Sequence, residues 1–167
     1  MGRDLGAVYA EKRKTYLESP GRKNIPHTAI VKQLDGFYQE SKVHQFTVYC
    51  DEHVEPWGGS DKAASPLLYL LSSLGFSMNN QILIQSAVMG VKIDSLETSV
   101  TGSFDAKGCY NIKGHSPRVN SISLTFKVTS DSGEEKLRKV MNSSSKSCPI
   151  FQTLKKSARI EKKLQLN

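Results

Sequence analysis

Hydrophobic and polar residues follow different periods along the chain, and these periods separate predicted helices from predicted strands. A loosely helical pattern covers residues 4–17, and a stretch with two prolines and a glycine breaks it before residue 27. Strands are predicted at 27–34 and 37–50, on either side of the turn-forming pair Asp35-Gly36. Residues 51–65 are rich in glycine, proline and acidic side chains, which predicts a loop.

A long helix is predicted from Ser65 to about Gly90. Ser65 suits the N-cap, Pro66 suits the first helical position, and Gly90 is a plausible stop. Leucine, isoleucine and methionine occur around most of its circumference. A helix that is apolar on most sides is expected to lie inside an assembly, between subunits where the chain oligomerises.

The remaining pattern predicts strands at 96–104 and 122–128, a helix at 133–142, a serine-rich break, a short helix from Pro149 and an edge strand at 158–166. Helices and strands are therefore interspersed without repeats, which predicts an α+β fold in a single globular unit. We divide it into an N-terminal helix and connector, residues 1–26, and a main domain, residues 27–167.

The chain has a formal charge of +7 at pH 7, which permits attraction to nucleic acid or to acidic surfaces. Its lysines and arginines nevertheless form short, scattered runs without a DNA-reading motif, which favours a solvated surface over a nucleic-acid site. No signal-peptide core is recognisable, and no apolar run reaches the roughly 20 residues of a membrane span. We expect a cytoplasmic protein without a membrane partner.

Three cysteines are present, with wide spacing, and the four histidines are isolated. This predicts neither a disulfide framework nor a metal site, and no cofactor is indicated. Cys148 precedes Pro149 at the predicted N-cap of a helix, where free N–H groups favour a thiolate, and Lys146 acts in the same direction. The alternative is a small, half-buried apolar residue. Cys50 is expected to face the core, and Cys109 to be a loop thiol.

Four stretches of the chain resemble the OsmC and Ohr proteins over residues 43–166. The segment SPLLYLLSSLGFSM is similar to the family's central-helix motif, [ST]-P-x-E-L-L-L-A-A-L-G-A-C-T, and SCPIFQTL is similar to its second motif, C-P-V-H-x-T-L. The stretches DEHVEPWGGSDKAASP and VKIDSLETSVTG resemble the loop before the long helix and the strand after it.

The resemblance implies an OsmC-like fold, with antiparallel β-sheets wrapped around a long central helix in an intertwined homodimer. Better-known family members are thiol peroxidases that act on organic hydroperoxides. A cysteine in the central helix becomes a sulfenic acid, and the cysteine of the second motif then forms a disulfide with it. A dithiol such as a lipoyl protein reduces the pair, while a glutamate and often an arginine tune the attacking thiolate.

Carried over residue by residue, the second cysteine falls on Cys148 and the attacking cysteine falls on Ser77. The glutamate falls on Leu67 or Leu68. No arginine lies between Arg22 and Arg118, which leaves Arg22 as the candidate for the arginine position. We expect Leu67, Leu68, Gly75 and Phe76 to line an apolar pocket beside Ser77 and Cys148.

These substitutions favour a family member that has lost peroxidase chemistry, because a serine hydroxyl cannot be oxidised as a thiol is. Its pocket would bind an apolar or thiol-bearing small molecule or an organic hydroperoxide. One alternative is a peroxidase that uses Cys148 as its single reactive thiol, resolved by an external thiol, Cys50 or Cys109. Another alternative, motivated only by the charge, is a nucleic-acid-binding module.

Overall fold

The computed structural model describes residues 4–21, 23–156 and 162. These described residues form two compact units, one within 14–73 and the other within 1–13 and 74–167. The described elements, in chain order, are α1 (Leu5–Glu18), β1 (Ile30–Asp35), β2 (Tyr38–Val43), β3 (Phe46–Cys50), α2 (Val54–Trp57), α3 (Pro66–Val88), β4 (Ser95–Phe104), α4 (Ala106–Cys109), β5 (Val119–Thr129), α5 (Glu134–Ser147) and α6 (Pro149–Lys155). The mixed α+β class with antiparallel sheets is thus as predicted. The division at residue 27 stays a prediction.

The long helix α3 begins and ends where the sequence predicts. It starts at Pro66, directly after the buried Ser65, and Gly90 follows its last turn with a φ of 65°. The backbone N–H of Val91 then donates to the carbonyl of Ser86, 2.8 Å away. A residue in the left-handed conformation commonly ends a helix. Glycine adopts this conformation easily, because it has no Cβ to clash.

By length and composition, α3 is the one helix among the described residues that could cross a membrane. This is weak support for a membrane span, because the core helix of a soluble protein passes the same test.

The unit of residues 14–73 contains a three-stranded antiparallel sheet in the order β1-β2-β3. The single strand predicted at 37–50 is wrong: Val43 pairs with Phe46, and His44 and Gln45 form a hairpin turn. His44 has a φ of 53°. Histidine can adopt this left-handed conformation, but turns are usually recognised in a sequence by glycine or proline. The sequence therefore contains no clear signal of this turn. His44 therefore does not share a strand face with Phe46.

In the loop after this sheet, the buried carboxylate of Asp51 accepts hydrogen bonds from three backbone N–H groups. They belong to Glu52, Ser60 and Lys62, at 2.8, 3.2 and 3.1 Å. A Cβ on Gly59 would lie 1.8 Å from the carbonyl oxygen of Glu52, so only glycine fits there. These contacts give a glycine-rich loop a fixed conformation although it has little regular structure.

The unit that contains residues 74–167 is built on the β4–β5 hairpin, whose strands pair from Ser95 with Thr129 to Phe104 with Val119. Alternate residues of both strands are less exposed, as the period of two predicts. Two buried clusters pack on this sheet. One is formed by Leu74, Met78 and Cys148, and the other by Ile82, Val91 and Val140.

The predicted helix at 133–142 is longer in the structure, because α5 continues through the serine-rich segment to Ser147. The serine-rich break is therefore wrong. The hydroxyl of Ser144 donates to the carbonyl of Val140 at 2.7 Å, and that of Ser143 donates to Gln85 Oε1 at 2.8 Å. Contacts with the rest of the unit outweigh the modest helix propensity of serine. The edge strand predicted at 158–166 lies outside the described residues, apart from Lys162.

Candidate thiol site

Ser77 and Cys148 lie side by side in the unit that contains residues 74–167. Ser77 is in the middle of α3, and Cys148 joins α5 to α6. The Ser77 Oγ and the Cys148 Sγ are 3.0 Å apart, and either atom can be the donor. Two residues that are 71 positions apart in the sequence are therefore in contact.

Cys148 is the N-cap of α6, as predicted, with Pro149 at the first helical position. Its Sγ accepts a hydrogen bond from the backbone N–H of Phe151 at 3.4 Å, and its own N–H donates to the carbonyl of Ser144 at 2.9 Å. The side chain is 0% exposed. The thiol is thus fixed by the junction of two helices and shielded from solvent.

The surroundings of this pair are apolar. Leu74 and Met78 form a buried cluster with Cys148. Partly buried side chains that pack against this cluster are Val100, Ile122, Leu124, Phe126, Ile150 and Phe151. Within the described part of the chain, neither Ser77 nor Cys148 has a hydrogen bond to a carboxylate or a guanidinium. Among these described residues, no charged group is therefore hydrogen-bonded to either side chain.

The other predicted site residues have different surroundings. A Cβ on Gly75 would lie 3.3 Å from Val100 Cγ2, so the glycine lets α3 approach β4 closely. Phe76 is 69% exposed. Leu67 and Leu68 belong to the unit of residues 14–73, where Leu68 is 44% exposed. Arg22 lies outside the described residues. Their roles at the site stay predictions.

The two other thiols are free. Cys50 ends β3 in the unit of residues 14–73 and is half-buried, while Cys109 ends the short helix α4 and is exposed. Burial raises the pKa of the Cys50 thiol, and the charges of Glu52 and Asp51 act in the same direction. Among the described residues, no group of three histidine, cysteine or acidic side chains could hold a metal ion.

A cavity of about 260 Å³ lies close to the thiol pair, in the same unit of the chain. Its apolar wall is formed by Leu74, Val119, Ile122, Leu124, Phe151 and Leu154, and its polar groups by Asn120, Ser121 and Lys155. Leu74 also packs on Cys148, and Phe151 also donates to its sulfur. None of the four predicted pocket residues lines this cavity.

Sequence reasoning missed the cavity because its walls come from three separate elements. The alternation of Ile122 and Leu124 marked an inward face of β5, but nothing indicated that α6 packs beside it. Lys155 gave no signal, since surface lysines are common.

The OsmC family model, described as OsmC-like protein, matches residues 59–163. The chain belongs to the OsmC family. The match covers α3, the β4–β5 hairpin and both elements that hold Cys148. No curated protein matches the chain in sequence.

Solved structures show the same fold. An OsmC-like protein from Mycoplasma pneumoniae is 20% identical, covers 81% of this chain and 91% of its own, and has a TM-score of 0.70. An organic hydroperoxide resistance protein OsmC from Legionella pneumophila is 11% identical, with coverages of 78% and 91% and a TM-score of 0.58. A proposed organic hydroperoxide resistance protein from Vibrio cholerae, with captopril bound in one of its active sites, is 12% identical, with coverages of 83% and 92% and a TM-score of 0.56.

Proposed function

We propose that this OsmC-family chain has a degenerate thiol-peroxidase site and binds an apolar small molecule beside it. Ser77 stands at the position of the attacking cysteine, and Cys148 is the retained second cysteine. The observation that carries the proposal is the 3.0 Å separation of Ser77 Oγ and Cys148 Sγ, since a disulfide between these positions requires the two side chains to be adjacent.

The chemistry of the two-cysteine reaction supports the degenerate-site half of the proposal. In the two-cysteine reaction, a thiolate attacks the distal peroxide oxygen, the O–O bond breaks, and the sulfur becomes a sulfenic acid. The alkoxide that leaves takes up a proton from water and becomes an alcohol. The second thiol then displaces water to form a disulfide. Serine has no sulfur to oxidise, so neither step can occur at Ser77.

The apolar setting supports the binding half of the proposal. The cavity beside the pair is mainly apolar with a few polar groups, which is typical of small-molecule sites, although its volume of about 260 Å³ is at the small end. The Vibrio cholerae relative has captopril bound in one of its active sites. We therefore propose an apolar small molecule or an organic hydroperoxide as ligand.

Two measurements test this proposal on the whole protein. We expect no consumption of cumene hydroperoxide in the presence of dihydrolipoamide, and we expect measurable binding of 1-octanol by calorimetry. A Leu154→Trp variant, which fills the cavity from a partly exposed position, should lose the binding. Hydroperoxide turnover that disappears in Cys148→Ser would overturn the degenerate-site proposal.

That last outcome would support the second candidate, a peroxidase with Cys148 as its single reactive thiol. The hydrogen bond from the Phe151 N–H to Cys148 Sγ favours it, because such contacts at helix starts activate thiols. An external dithiol, Cys50 or Cys109 would then resolve the sulfenic acid. The complete burial of Cys148 weighs against it.

We also propose that the chain is a homodimer in the cytoplasm, with neither a membrane nor a nucleic-acid partner. Large apolar side chains stay exposed in the single chain, including Phe46 at 63% and Phe76 at 69%. Exposed apolar surface of this kind favours a protein partner. The free thiols fit a reducing compartment. Light scattering without detergent should give twice 18.5 kDa, whereas a monomer, or protein that needs detergent, would contradict the dimer.

A further inference from the structure

Lys155 is the single ionisable side chain among the described residues that line the cavity. It lies in the last turn of α6, and the rest of the lining is apolar except for Asn120 and Ser121 on β5. With one cation and no carboxylate, this described part of the lining has a net positive charge. The lining is therefore complementary to a molecule with an apolar body and one negative charge.

The charge of Lys155 is available to a ligand within the described residues. Neither 4–21 nor 23–156 contains an acidic side chain in an ion pair with Lys155, whereas several other lysines are paired, among them Lys92 with Asp94 and Lys127 with Glu97. An ammonium group next to an apolar cavity binds an anion most favourably when the anion has an apolar tail that is buried in the cavity, because the buried tail holds the anionic group in position.

The cavity volume gives a scale for the length of that tail. At roughly 30 Å³ for each water-sized group, a cavity of about 260 Å³ holds about nine such groups. A carboxylate with an alkyl chain the length of octanoate has this size. Asn120 and Ser121 add an amide and a hydroxyl that can donate hydrogen bonds to carboxylate oxygens.

We propose that the cavity is a binding site for medium-chain monocarboxylates, with the tail against Leu124 and Phe151 and the carboxylate on Lys155. This inference rests on the proposed function and adds the charge of the ligand to it. Lys155 is then a residue that sets specificity, and takes no part in any reaction at Ser77 or Cys148.

Calorimetry with octanoate and 1-octanol, which differ in charge and hardly in length, separates this inference from the proposed function. At low salt we expect octanoate to bind the native protein more tightly by roughly five-fold, the upper end for an exposed ion pair. Lys155→Met should remove this preference while still binding 1-octanol. Lys156→Met, the same change one residue later, is the matched control and should behave as the native protein, because Lys156 does not line the cavity.

Each other result has a definite meaning. Equal affinity for the two ligands in the native protein would overturn the charge selectivity and leave the apolar pocket standing. Binding of neither ligand would overturn both proposals. A preference for octanoate that persists in Lys155→Met, or that disappears equally in Lys156→Met, would overturn the assignment to Lys155. Shifts of the Leu124 and Leu154 methyl resonances on octanoate addition would support the location, and their absence alongside binding would overturn it.

Discussion

The Ser77 hydroxyl contacts the Cys148 thiol across 71 residues of sequence, so a cysteine at position 77 would place two sulfur atoms side by side. Ser77→Cys should therefore form a disulfide with Cys148 under mild oxidation. We expect a mass lower by two hydrogens, which dithiothreitol reverses. The double variant Ser77→Cys/Cys148→Ser is the control and should show no intramolecular bond to position 148.

The same variant should regain at most weak turnover of cumene hydroperoxide. Position 77 lies in the middle of α3 and has no charged group within hydrogen-bonding distance among the described residues, and an attacking thiolate needs such a neighbour or a helix end to form at neutral pH. Robust turnover by Ser77→Cys with dihydrolipoamide would mean that the missing glutamate matters less than we infer.

The three thiols should react with an aromatic disulfide reagent in the order of their exposure. Cys109 is exposed, Cys50 is half-buried and Cys148 is 0% exposed. Because the pKa of Cys50 is raised, less of it is thiolate at neutral pH, and its rate should increase as the solution becomes alkaline. Stopped-flow absorbance on the native protein and on single cysteine-to-serine variants assigns each phase. Fast labelling of Cys148 without denaturant would contradict its burial.

A hydrogen bond between α5 and α3 should contribute measurably to stability. Ser143 Oγ donates to the side-chain oxygen of Gln85, which is 5% exposed. Ser143→Ala leaves this buried acceptor without its donor, which should lower the free energy of unfolding by about 1–3 kcal/mol. Ser145→Ala is the matched control, because Ser145 donates only to the carbonyl of Asn142 in its own helix. Urea unfolding should show little change in the control, and equal losses in both variants would contradict the role of Gln85.

A structural feature of this protein was predictable from the sequence when it depends on neighbouring residues, and was missed when it depends on residues distant in the sequence. The limits of α3 and the cap of α6 were predictable, because they depend on the local backbone conformation at Pro66, Gly90 and Cys148. Ser143 and Ser144 are helical because of groups on other turns or another helix, and local propensity predicted a break there. The proximity of Ser77 to Cys148 was implied by the family resemblance alone. Lys155 gave no signal, because its importance comes from the cavity beside it.

A second structural pair predicts a dependence on pH. The Asp105 carboxylate, the N-cap of α4, contacts His115 Nδ1 at 2.5 Å and accepts from the Lys107 N–H at 3.0 Å. The contact with His115 lowers the pKa of Asp105 most, and Lys107 adds to it. Because the pKa of Asp105 is lower in the folded state, its ionised carboxylate stabilises the fold at pH values above the unfolded-state pKa of about 3.9. This stabilisation is lost as pH falls through the lower pKa of the folded state.

Asp105→Asn should therefore be less stable than the native protein at pH 6, and the difference should narrow in strongly acidic solution. Urea unfolding at a series of pH values measures this, with Asp131→Asn, at an exposed position outside the helices and strands, as a control. A difference that stays constant down to the acid limit would exclude the carboxylate as its source.

The exposed side of α3 gives the sharpest test of the dimer. Phe76 is 69% exposed and Leu83 is 39% exposed, and their separation of seven residues places them on one face of the helix. If a second copy covers this face, Phe76→Glu would bury a carboxylate against apolar atoms. We expect it to raise the dimer dissociation constant by more than about tenfold, the effect of about 1.4 kcal/mol. Ile112→Glu makes the same change at an apolar residue, 47% exposed, in the loop before β5, and should stay dimeric. Sedimentation of both variants across a dilution series measures the two dimer dissociation constants. A Phe76→Glu protein as dimeric as the Ile112→Glu control would mean that the partner does not cover this face.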